Sequence, residues 1–439
     1  MKDDIIGNKK IINAWTLYDW ANSAHALVIA STVFPIYYDA ITTDKVTKSN
    51  IVPFMGGHFN ADSLYTFALS AAYLFVAFLS PMLSSMADYS GKKKQFMMFF
   101  CFVGSFSCLT MHWFTSIDTL WIGIFSFFFS MIGYSGSIVF YNAFLPEIAA
   151  PEQQDKVSAR GFAMGYTGSS LLLIFNLTMI KHPEWYGITE SSLPARISFV
   201  LVGVWWLGFS MITFYYLPGN IYNKKPSGNI LTKGYMELLQ VWKVLKKTNR
   251  LKKFLSAFFF YNMGTQTVMY VATLFGTNEL HLDSGVLITT ILLIQFVAIA
   301  GAFLFASLSK WFGNIKAIGI AILVWIFVCV GAYFVTGEYG FYAIGFTVGM
   351  VMGGIQSLSR STYSKLLPET QDHASFFSFF DICDKMSIVL GTFSYGLILE
   401  LTGNMRNSII ALILFFITGL ILLFRINKVD DSLLGETHS

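Results

Sequence analysis

Apolar residues in this chain come in long continuous runs that are separated by mostly short polar segments. A helix needs about 20 apolar residues to cross the hydrocarbon core of a bilayer. The pattern predicts twelve membrane-spanning helices, at 11–41, 61–86, 95–116, 119–143, 158–181, 196–217, 254–279, 285–309, 316–336, 339–363, 374–401 and 406–426. A longer polar stretch follows the sixth run, so we expect six helices on each side of it.

This stretch divides the chain into three predicted parts. These are a first six-helix bundle at 1–217, a linker at 218–253 and a second six-helix bundle with a short tail at 254–439. Apolar residues recur in the linker at intervals of three and four, and its lysines lie mostly elsewhere on the helical wheel. The pattern favours a basic amphipathic helix lying on an anionic membrane surface, and a solvated basic linker is the alternative.

Composition narrows the class of protein further. Only 12% of the residues are charged, against about 25% in soluble domains, and the mean hydropathy is +0.59. A secreted enzyme, a nucleic-acid-binding protein and a disordered chain are therefore excluded. The apolar runs are also too long and too continuous for a membrane β-barrel. The chain is predicted to be an all-α polytopic membrane protein.

Lysines and arginines indicate the orientation of the bundle. If both termini lie inside, 23 of the 29 basic residues fall in segments on the inner side, Arg360 among them, and five fall in outer loops. The remaining one, Lys385, lies within a run. Basic residues accumulate on the cytoplasmic side of membrane proteins. We therefore expect both termini to be cytoplasmic, in the bacterial inner (plasma) membrane or an equivalent membrane.

The two halves of the chain repeat short motifs in the same order. Leu-Pro-Glu follows both the fourth and the tenth run, at 145–147 and 367–369. The loop after the second run reads ADYSGKKK (87–94), and the loop after the eighth reads SKWFGNIK (309–316). The order of these echoes predicts two six-helix pseudo-repeats in parallel, an arrangement found in transporters.

Five segments carry a family resemblance. The loop after the second run resembles the major facilitator signature, with Ser84 in place of its first glycine. The others are WTLYDWANS (15–23), FYNAFLPE (140–147), VSARGFA (157–163) and QSLSRS (356–361). These last four segments together resemble the UMF1 family of major facilitators, relatives of the fungal vacuolar Atg22 proteins. The residues that carry the match are Trp15, Tyr18, Trp20, Asp88, Gly91, Asn142, Pro146, Glu147, Arg160 and Arg360.

The resemblance implies the major facilitator fold and transport by alternating access. In that fold the first, fourth, seventh and tenth helices of the bundle line the central cavity, and the second, fifth, eighth and eleventh form the moving interface. The family includes proteins implicated in amino-acid efflux from the vacuole. Amino acids as the solute and export as the direction are therefore what the resemblance implies.

Four charged residues lie well inside the runs, more than four residues from either end, where a charge costs several kcal/mol unless it is paired or hydrated. They are Asp19, Asp381, Asp384 and Lys385. Asp19 could bind a proton or a substrate ammonium, could pair as a gate acid with a base of the other half, or could be a solvated interfacial carboxylate. Lys385 could pair with Asp381 within its own helix, or could alternate between the acids of its run and Asp19.

Uncharged polar residues nearer the middle of the runs are candidates for lining a substrate cavity. They are Asn22, His25, Tyr134, Ser135, Gln266 and Gln356. For each of them an ordinary hydrogen bond between helices is the alternative. His25 could also handle protons, because an imidazole pKa lies near physiological pH.

These features predict a transporter and not an enzyme. The histidines, cysteines and acids show no metal-ligand spacing, and the glycines do not form a nucleotide-binding fingerprint, so no metal or other cofactor is expected. The expected partners are a small polar solute, the lipid bilayer and, if transport is coupled, protons. We expect a functional monomer. Efflux of hydrophobic drugs or metabolites is one alternative, and a non-transporting membrane sensor or scaffold is another.

Overall fold

The computed structural model describes residues 5–43, 51–225 and 229–426, which are almost entirely helical. The first half contains α1 (Lys9–Ala24), α2 (Val33–Thr42), α3 (Ala61–Ser90), α4 (Lys93–Thr110), α5 (Leu120–Ala143), α6 (Leu145–Ile148), α7 (Pro151–Lys181) and α8 (Leu193–Tyr216). The linker contains α9 (Ile230–Lys247). The second half contains α10 (Asn249–Leu274), α11 (Ser284–Phe312), α12 (Asn314–Phe334), α13 (Glu338–Leu366), α14 (His373–Thr402) and α15 (Met405–Phe424).

Short elements complete the chain. A π-helical segment (His25–Ala30) joins α1 to α2, and a second one (Phe275–Glu279) follows α10. Three 3₁₀ turns lie at Met111–Trp113, Ile117–Thr119 and Pro183–Tyr186. Two short strands, β1 (Ile51–Phe54) and β2 (Gly57–Asn60), form an antiparallel hairpin before α3. The apolar pattern predicts neither the hairpin nor the π-helical segments.

The prediction of twelve helices in two halves is confirmed. Eleven of the helical segments in the described residues are long and apolar enough to cross a membrane. The twelfth, α10, is more polar because lysines follow its start and polar side chains such as Asn262 and Gln266 lie along it. The largest boundary error is at α7, which begins at Pro151 rather than 158. Its first two turns are hydrophilic, so hydropathy does not detect them.

The helices alternate in direction, so the bundle has two distinct ends. We call the end at which α1 begins the basic face, and the opposite end the far face. The helices α3, α5, α8, α11 and α13 end at the basic face, and α4, α7, α10, α12 and α14 begin there. Gly91 terminates α3 at this face in the left-handed conformation (φ 67°) that glycine adopts at least cost.

Small residues bring α7 unusually close to α1. Gly161, Gly165 and Gly168 follow a GxxxG-like spacing, and all three lie against α1. A Cβ atom on Gly168 would lie 2.7 Å from the carbonyl oxygen of Trp20, and one on Gly161 would collide with the carboxylate of Asp19. The middle of α1 is therefore packed directly against the backbone of α7.

The linker helix α9 lies across the seam between the halves at the basic face. The hydroxyl of Ser85 on α3 donates to the carbonyl of Gly234, and Gly234 packs against Met86. On the other side, the ring of Trp242 lies 5.4 Å from that of Phe379 on α14. One face of α9 is thus held by the first half, and its edge touches the second half.

Candidate functional site

The two halves are joined near the basic face by one buried arginine. Arg360 belongs to α13 of the second half, and its guanidinium enters a recess whose polar groups all come from the first half. Its Nη1 lies 3.1 Å from Oδ2 of Asp19. Its Nε donates to the hydroxyl of Ser158 at 2.9 Å and its Nη2 donates to the carbonyl of the same residue at 2.8 Å. Asn142 supplies a further, longer contact to Nη1 at 3.4 Å.

Aromatic rings complete this recess. The guanidinium carbon lies 4.2 Å from the ring centre of Phe162, 4.8 Å from that of Trp15 and 5.4 Å from that of Tyr141. A cation over aromatic faces is stabilised by their electron density, most strongly where water is absent. We call the group formed by Trp15, Asp19, Tyr141, Ser158 and Phe162 the arginine socket.

The socket is built by three helices of the first half. Trp15 and Asp19 are one helical turn apart on α1, so both face the same neighbour. The Trp15 indole donates to the carbonyl of Tyr141 at 2.9 Å and stacks on its ring at 4.4 Å. The Tyr141 hydroxyl donates to Oδ2 of Asp19 at 2.7 Å. Tyr18 packs behind, with its ring 5.2 Å from that of Tyr141.

The count of basic residues places Arg360 on the inner side, and in the structure it is a buried residue of a spanning helix near the basic face. Arg360 is a turn and a half inside α13, and only 3% of it is exposed. One alternative for Asp19 was that it pairs, as a gate acid, with a base of the other half. Arg360 is such a base. The sequence already indicated that Arg360 could be buried, because the tenth run (339–363) contains it.

A second contact between the halves uses the start of α14. The carboxylate of Asp88, at the end of α3, accepts hydrogen bonds from the backbone nitrogens of Ala374 and Ser375 at 3.3 and 2.7 Å, and from the Ser375 hydroxyl at 2.8 Å. A carboxylate at a helix N-terminus satisfies free N–H groups and faces the positive end of the helix dipole. The first half thereby caps a helix of the second.

Two further clusters link the halves at the basic face. Glu147 of α6 is buried between Lys93 of α4 and His373 of α14, and His373 Nδ1 lies 3.0 Å from its Oε1. At the other seam, Oδ2 of Asp155 on α7 accepts from Lys365 at 2.6 Å and from the hydroxyl of Ser309 at 2.8 Å. Glu147 was identified as a motif residue, whereas Asp155, Lys365 and His373 were missed because they lie in polar loops or helix ends.

A cluster outside the spanning helices ties the linker to α14. Lys224 Nζ lies 3.0 Å from Oδ1 of Asp372 and 3.6 Å from Oε1 of Glu237 on α9. Burial, together with a hydrogen bond to the neighbouring carboxylate of Asp372, raises the pKa of Glu237 to about 8. Burial opposes the charged form of Asp372, but the hydrogen bond from Glu237 and the charge of Lys224 hold the pKa of Asp372 below its usual value. Asp88 adds a further negative charge near Glu237.

This cluster predicts a pH-dependent contact between α9 and α14. The pKa of Glu237 is higher in the folded protein than in an unfolded chain, so its stabilising contribution is present at low pH and is lost as the pH rises through about 8. Above that pH, two carboxylates share one lysine. Spin labels at Tyr235→Cys and Gln371→Cys should give a sharp distance below this pH and a broadened one above it, whereas Glu237→Gln should keep the distance sharp throughout.

The matched control is Glu369→Gln, the same chemical change at an exposed carboxylate of the same loop region. It should retain the broadening of the wild type. Equal broadening in the Glu237→Gln variant would show that another group controls the contact.

The charged residues of the eleventh predicted span form a compact triad on α14. Lys385 Nζ lies 2.8 Å from Oδ2 of Asp384 and 3.3 Å from Oδ1 of Asp381. The structure therefore places Lys385 in pairs within its own helix, and the base beside Asp19 is Arg360. The lysine also reaches the other half, because its Nζ lies 5.5 Å from the ring centre of Tyr73 on α3.

The carboxylate oxygen of Asp384 that does not contact Lys385 is bound by polar groups of the second half. Oδ1 of Asp384 accepts from Asn262 at 2.9 Å and from Gln266 at 3.3 Å, both on α10. Gln266 was identified from sequence, whereas Asn262 was not among the candidate site residues. Gln356 lies nearer the socket, where its Oε1 accepts from Tyr166 of α7 at 2.6 Å.

The other cavity candidates come together in the first half. His25 begins the π-helical segment, stacks on Tyr134 with ring centres 5.0 Å apart, and has its Nε2 3.0 Å from the hydroxyl of Ser130. π-helical segments often occur at functional sites. Asn22 and Ser135 are buried beside this group, and the Asn22 nitrogen and the Ser135 hydroxyl have no hydrogen-bond partner among the described residues.

The remaining motif residues have structural contacts. Trp20 stacks on Trp205 of α8 at 5.4 Å, which fixes α1 against that helix. Pro146 lies in the first turn of α6, where its missing N–H costs nothing. Arg160 is exposed and donates to Asn13 at 2.6 Å. In the described part of the chain, no group of three histidines, cysteines or acids could hold a metal ion.

Comparison with protein families and their members identifies relatives along nearly the whole chain. The family described as "Vacuole effluxer Atg22 like" matches residues 7–431. The uncharacterized MFS-type transporter YxiO of Bacillus subtilis is 32% identical over 414 residues, which are 94% of this chain and 93% of the relative. Autophagy-related protein 22 of Kluyveromyces lactis is 24% identical over 470 residues, with 94% and 92% covered.

Solved structures confirm the fold. The human organic anion transporter MFSD10 superposes with a TM-score of 0.73 at 11% identity, covering 95% of this chain and 99% of that one. The major facilitator transporter FucP, in its outward conformation, gives 0.71 at 13% identity, covering 96% and 98%. The chain therefore belongs to the Atg22-like family, and it is an MFS-type membrane transporter and not an enzyme, as its sequence predicts.

Proposed function

We propose that the chain is a secondary transporter that exports a small polar solute, with amino acids as the leading candidates, across a bacterial plasma membrane. It works as a monomer by alternating access, with the basic face and both termini in the cytoplasm. The bacterial relative supports the location, and the family description as vacuole effluxers supports export. The positions of the basic residues support the orientation.

One observation carries this proposal: polar groups of both halves converge at mid-depth. The Asp384–Lys385 pair of the second half lies against Tyr73 of the first, and within electrostatic reach of Tyr134, on which His25 stacks. Adjacent opposite charges suit a zwitterion, since its ammonium pairs with a carboxylate and its carboxylate with a lysine. We infer that the solute binds between these groups and separates Asp384 from Lys385.

The contacts at the basic face form the inner gate in this proposal. The arginine socket, the Asp88 cap on α14 and the pairs of Glu147 and Asp155 each join one half to the other. Opening this face must break all of them together. Water that enters would then solvate the separated charges and offset much of the loss, so the gate is a two-state element whose balance a bound solute can shift.

The test is counterflow of a labelled amino-acid mixture in proteoliposomes. We expect the wild type to exchange at least one amino acid. The variant Asp384→Asn should exchange it at least about tenfold more slowly, because a charge-assisted hydrogen bond contributes ~1.5–3 kcal/mol. The exposed Asp118→Asn is the matched control and should behave as the wild type.

Two outcomes would contradict the proposal. If the wild type exchanges no amino acid, the solute class is wrong and hydrophobic compounds become the next screen. If Asp384→Asn exchanges as fast as the wild type, the triad on α14 is not part of the solute site.

A further inference from the structure

The triad on α14 is unbalanced in charge. It consists of two carboxylates, Asp381 and Asp384, and one ammonium, Lys385. Asp381 and Lys385 are buried, with 4% and 6% of their surfaces exposed. If both acids are ionised, the triad carries a net negative charge within the span. An uncompensated charge in such a place is strongly unfavourable.

The two acids are not equivalent. Asp384 has donors on both oxygens, since Asn262 and Gln266 reach Oδ1 and Lys385 reaches Oδ2. Hydrogen bonds donated to a carboxylate stabilise its ionised form. Asp384 is therefore the better supported of the two carboxylates.

Asp381 has fewer groups than Asp384 that could stabilise a negative charge. Its Oδ1 has the more distant contact with Lys385, at 3.3 Å, and its Oδ2 is buried with no hydrogen-bond partner among the described residues. An ionised carboxylate with an unsatisfied buried oxygen loses its hydration without compensation. A proton on Asp381 would remove the excess charge of the triad and leave Asp384 and Lys385 as a balanced pair.

Groups from the neighbouring helices do not change this balance. Tyr73 of α3, Tyr134 of α5 and Tyr270 of α10 face the triad, and the Cys383 thiol lies beside it on α14. Phenols and thiols exchange hydrogen bonds, but they supply no positive charge. Lys385 is therefore the counter-charge that both acids must share.

We propose that Asp381 is a proton-binding site that carries one exchangeable proton in the structure described here. When water reaches the triad, the O–H bond of Asp381 breaks, the proton passes to water, and the carboxylate that remains is hydrated. The face that is open then decides which side of the membrane receives or supplies the proton. Its part in coupling rests on the proposed transport function, but proton binding itself does not.

Infrared difference spectroscopy of the full chain in lipid nanodiscs, without any solute, tests this site. A protonated buried carboxyl group gives a C=O stretching band that shifts in D₂O. Glu237, with a pKa of about 8, also loses a proton in this range, so the measurement uses a Glu237→Gln background. Between about pH 5 and about pH 9, this background should lose the Asp381 band as the pH rises. The variant Asp381→Asn should lack it, whereas the control Asp118→Asn should retain it.

Paired lengthening variants assign the proton to one acid. In Asp381→Glu the band should move, because the protonated group is now a glutamic acid, whereas in Asp384→Glu it should stay in place. A Glu237→Gln background without the band, a band that persists in Asp381→Asn, or a band that moves only with Asp384→Glu would each overturn the proposal. Since no solute is added, failure of amino-acid exchange would leave this result untouched.

Discussion

The single variants Asp19→Asn and Arg360→Gln should each lower the free energy of unfolding by about 3–5 kcal/mol, and the double variant should lose much less than their sum. Each single change leaves a buried charge without its counter-charge. In Arg360→Gln, Asp19 keeps only the Tyr141 hydroxyl as a donor from the part of the chain that the structure describes. In Asp19→Asn, the guanidinium keeps Ser158 and the rings, but none of the described residues gives it a negative partner. Removing both charges removes that penalty.

Denaturant unfolding in detergent, followed by intrinsic fluorescence, measures these differences. Arg160→Gln is the matched control, because Arg160 is exposed and its one described contact is to an uncharged side chain. Its effect should stay within about 0.5 kcal/mol. Fully additive losses in the double variant would mean that Asp19 and Arg360 do not act as a pair.

The same variants test whether this pair closes the basic face. Spin labels at Lys92→Cys and Lys310→Cys, both exposed and on opposite halves, report the opening of that face. We use a background in which the four native cysteines are replaced. Each single variant should shift the distance distribution towards longer values, and the double variant should shift it less. Unchanged distributions in the single variants would remove the pair from the gate.

Gly161→Ala should have the second largest effect, a loss of about 1–3 kcal/mol together with a weakened socket. The new methyl group would collide with the Asp19 carboxylate and lie 2.8 Å from Nη2 of Arg360. Neither atom can move freely, because Oδ2 of Asp19 accepts from Tyr141 and Arg360, and Nη2 of Arg360 donates to the carbonyl of Ser158. The same unfolding and distance measurements apply, and the labelled basic face should again open.

Gly208→Ala is the control for this change. Gly208 also lies within a spanning helix, α8, but a Cβ atom there would meet nothing within 4 Å. Alanine is the better helix former, so this variant should be neutral or more stable by about 0.5–1 kcal/mol. If both glycine variants lose the same stability, the close approach of α7 to α1 is not the cause.

Most of the helical architecture could be predicted from the sequence, because the bilayer imposes one strong constraint on the backbone. Backbone groups in hydrocarbon must be satisfied within a helix, so each apolar run of sufficient length becomes a spanning helix. The same constraint led to the prediction of α10 as a spanning helix, although its interior polar residues lower its hydropathy. The errors fell where the constraint ends, such as the polar first turns of α7 and the hairpin of β1 and β2.

The sequence also determined which residues had to be explained, since a charge in an apolar run is costly wherever it points. In the structure, Asp19, Asp381, Asp384 and Lys385 each take part in an ion pair. Their partners were decided by the tertiary structure. The contact of Asp19 with Arg360 spans 341 positions, and that of Asp88 with Ser375 spans 287.

Such pairings depend on how two six-helix halves are rotated against each other, and helical periodicity holds no information on that rotation. It only identifies i, i+4 neighbours, which is why Asp381 and Lys385 could be paired in advance. The socket needed three helices of one half and one of the other to meet within a few ångströms. Only packing in three dimensions brings them there, because the energy of a buried charge depends on its neighbours in space.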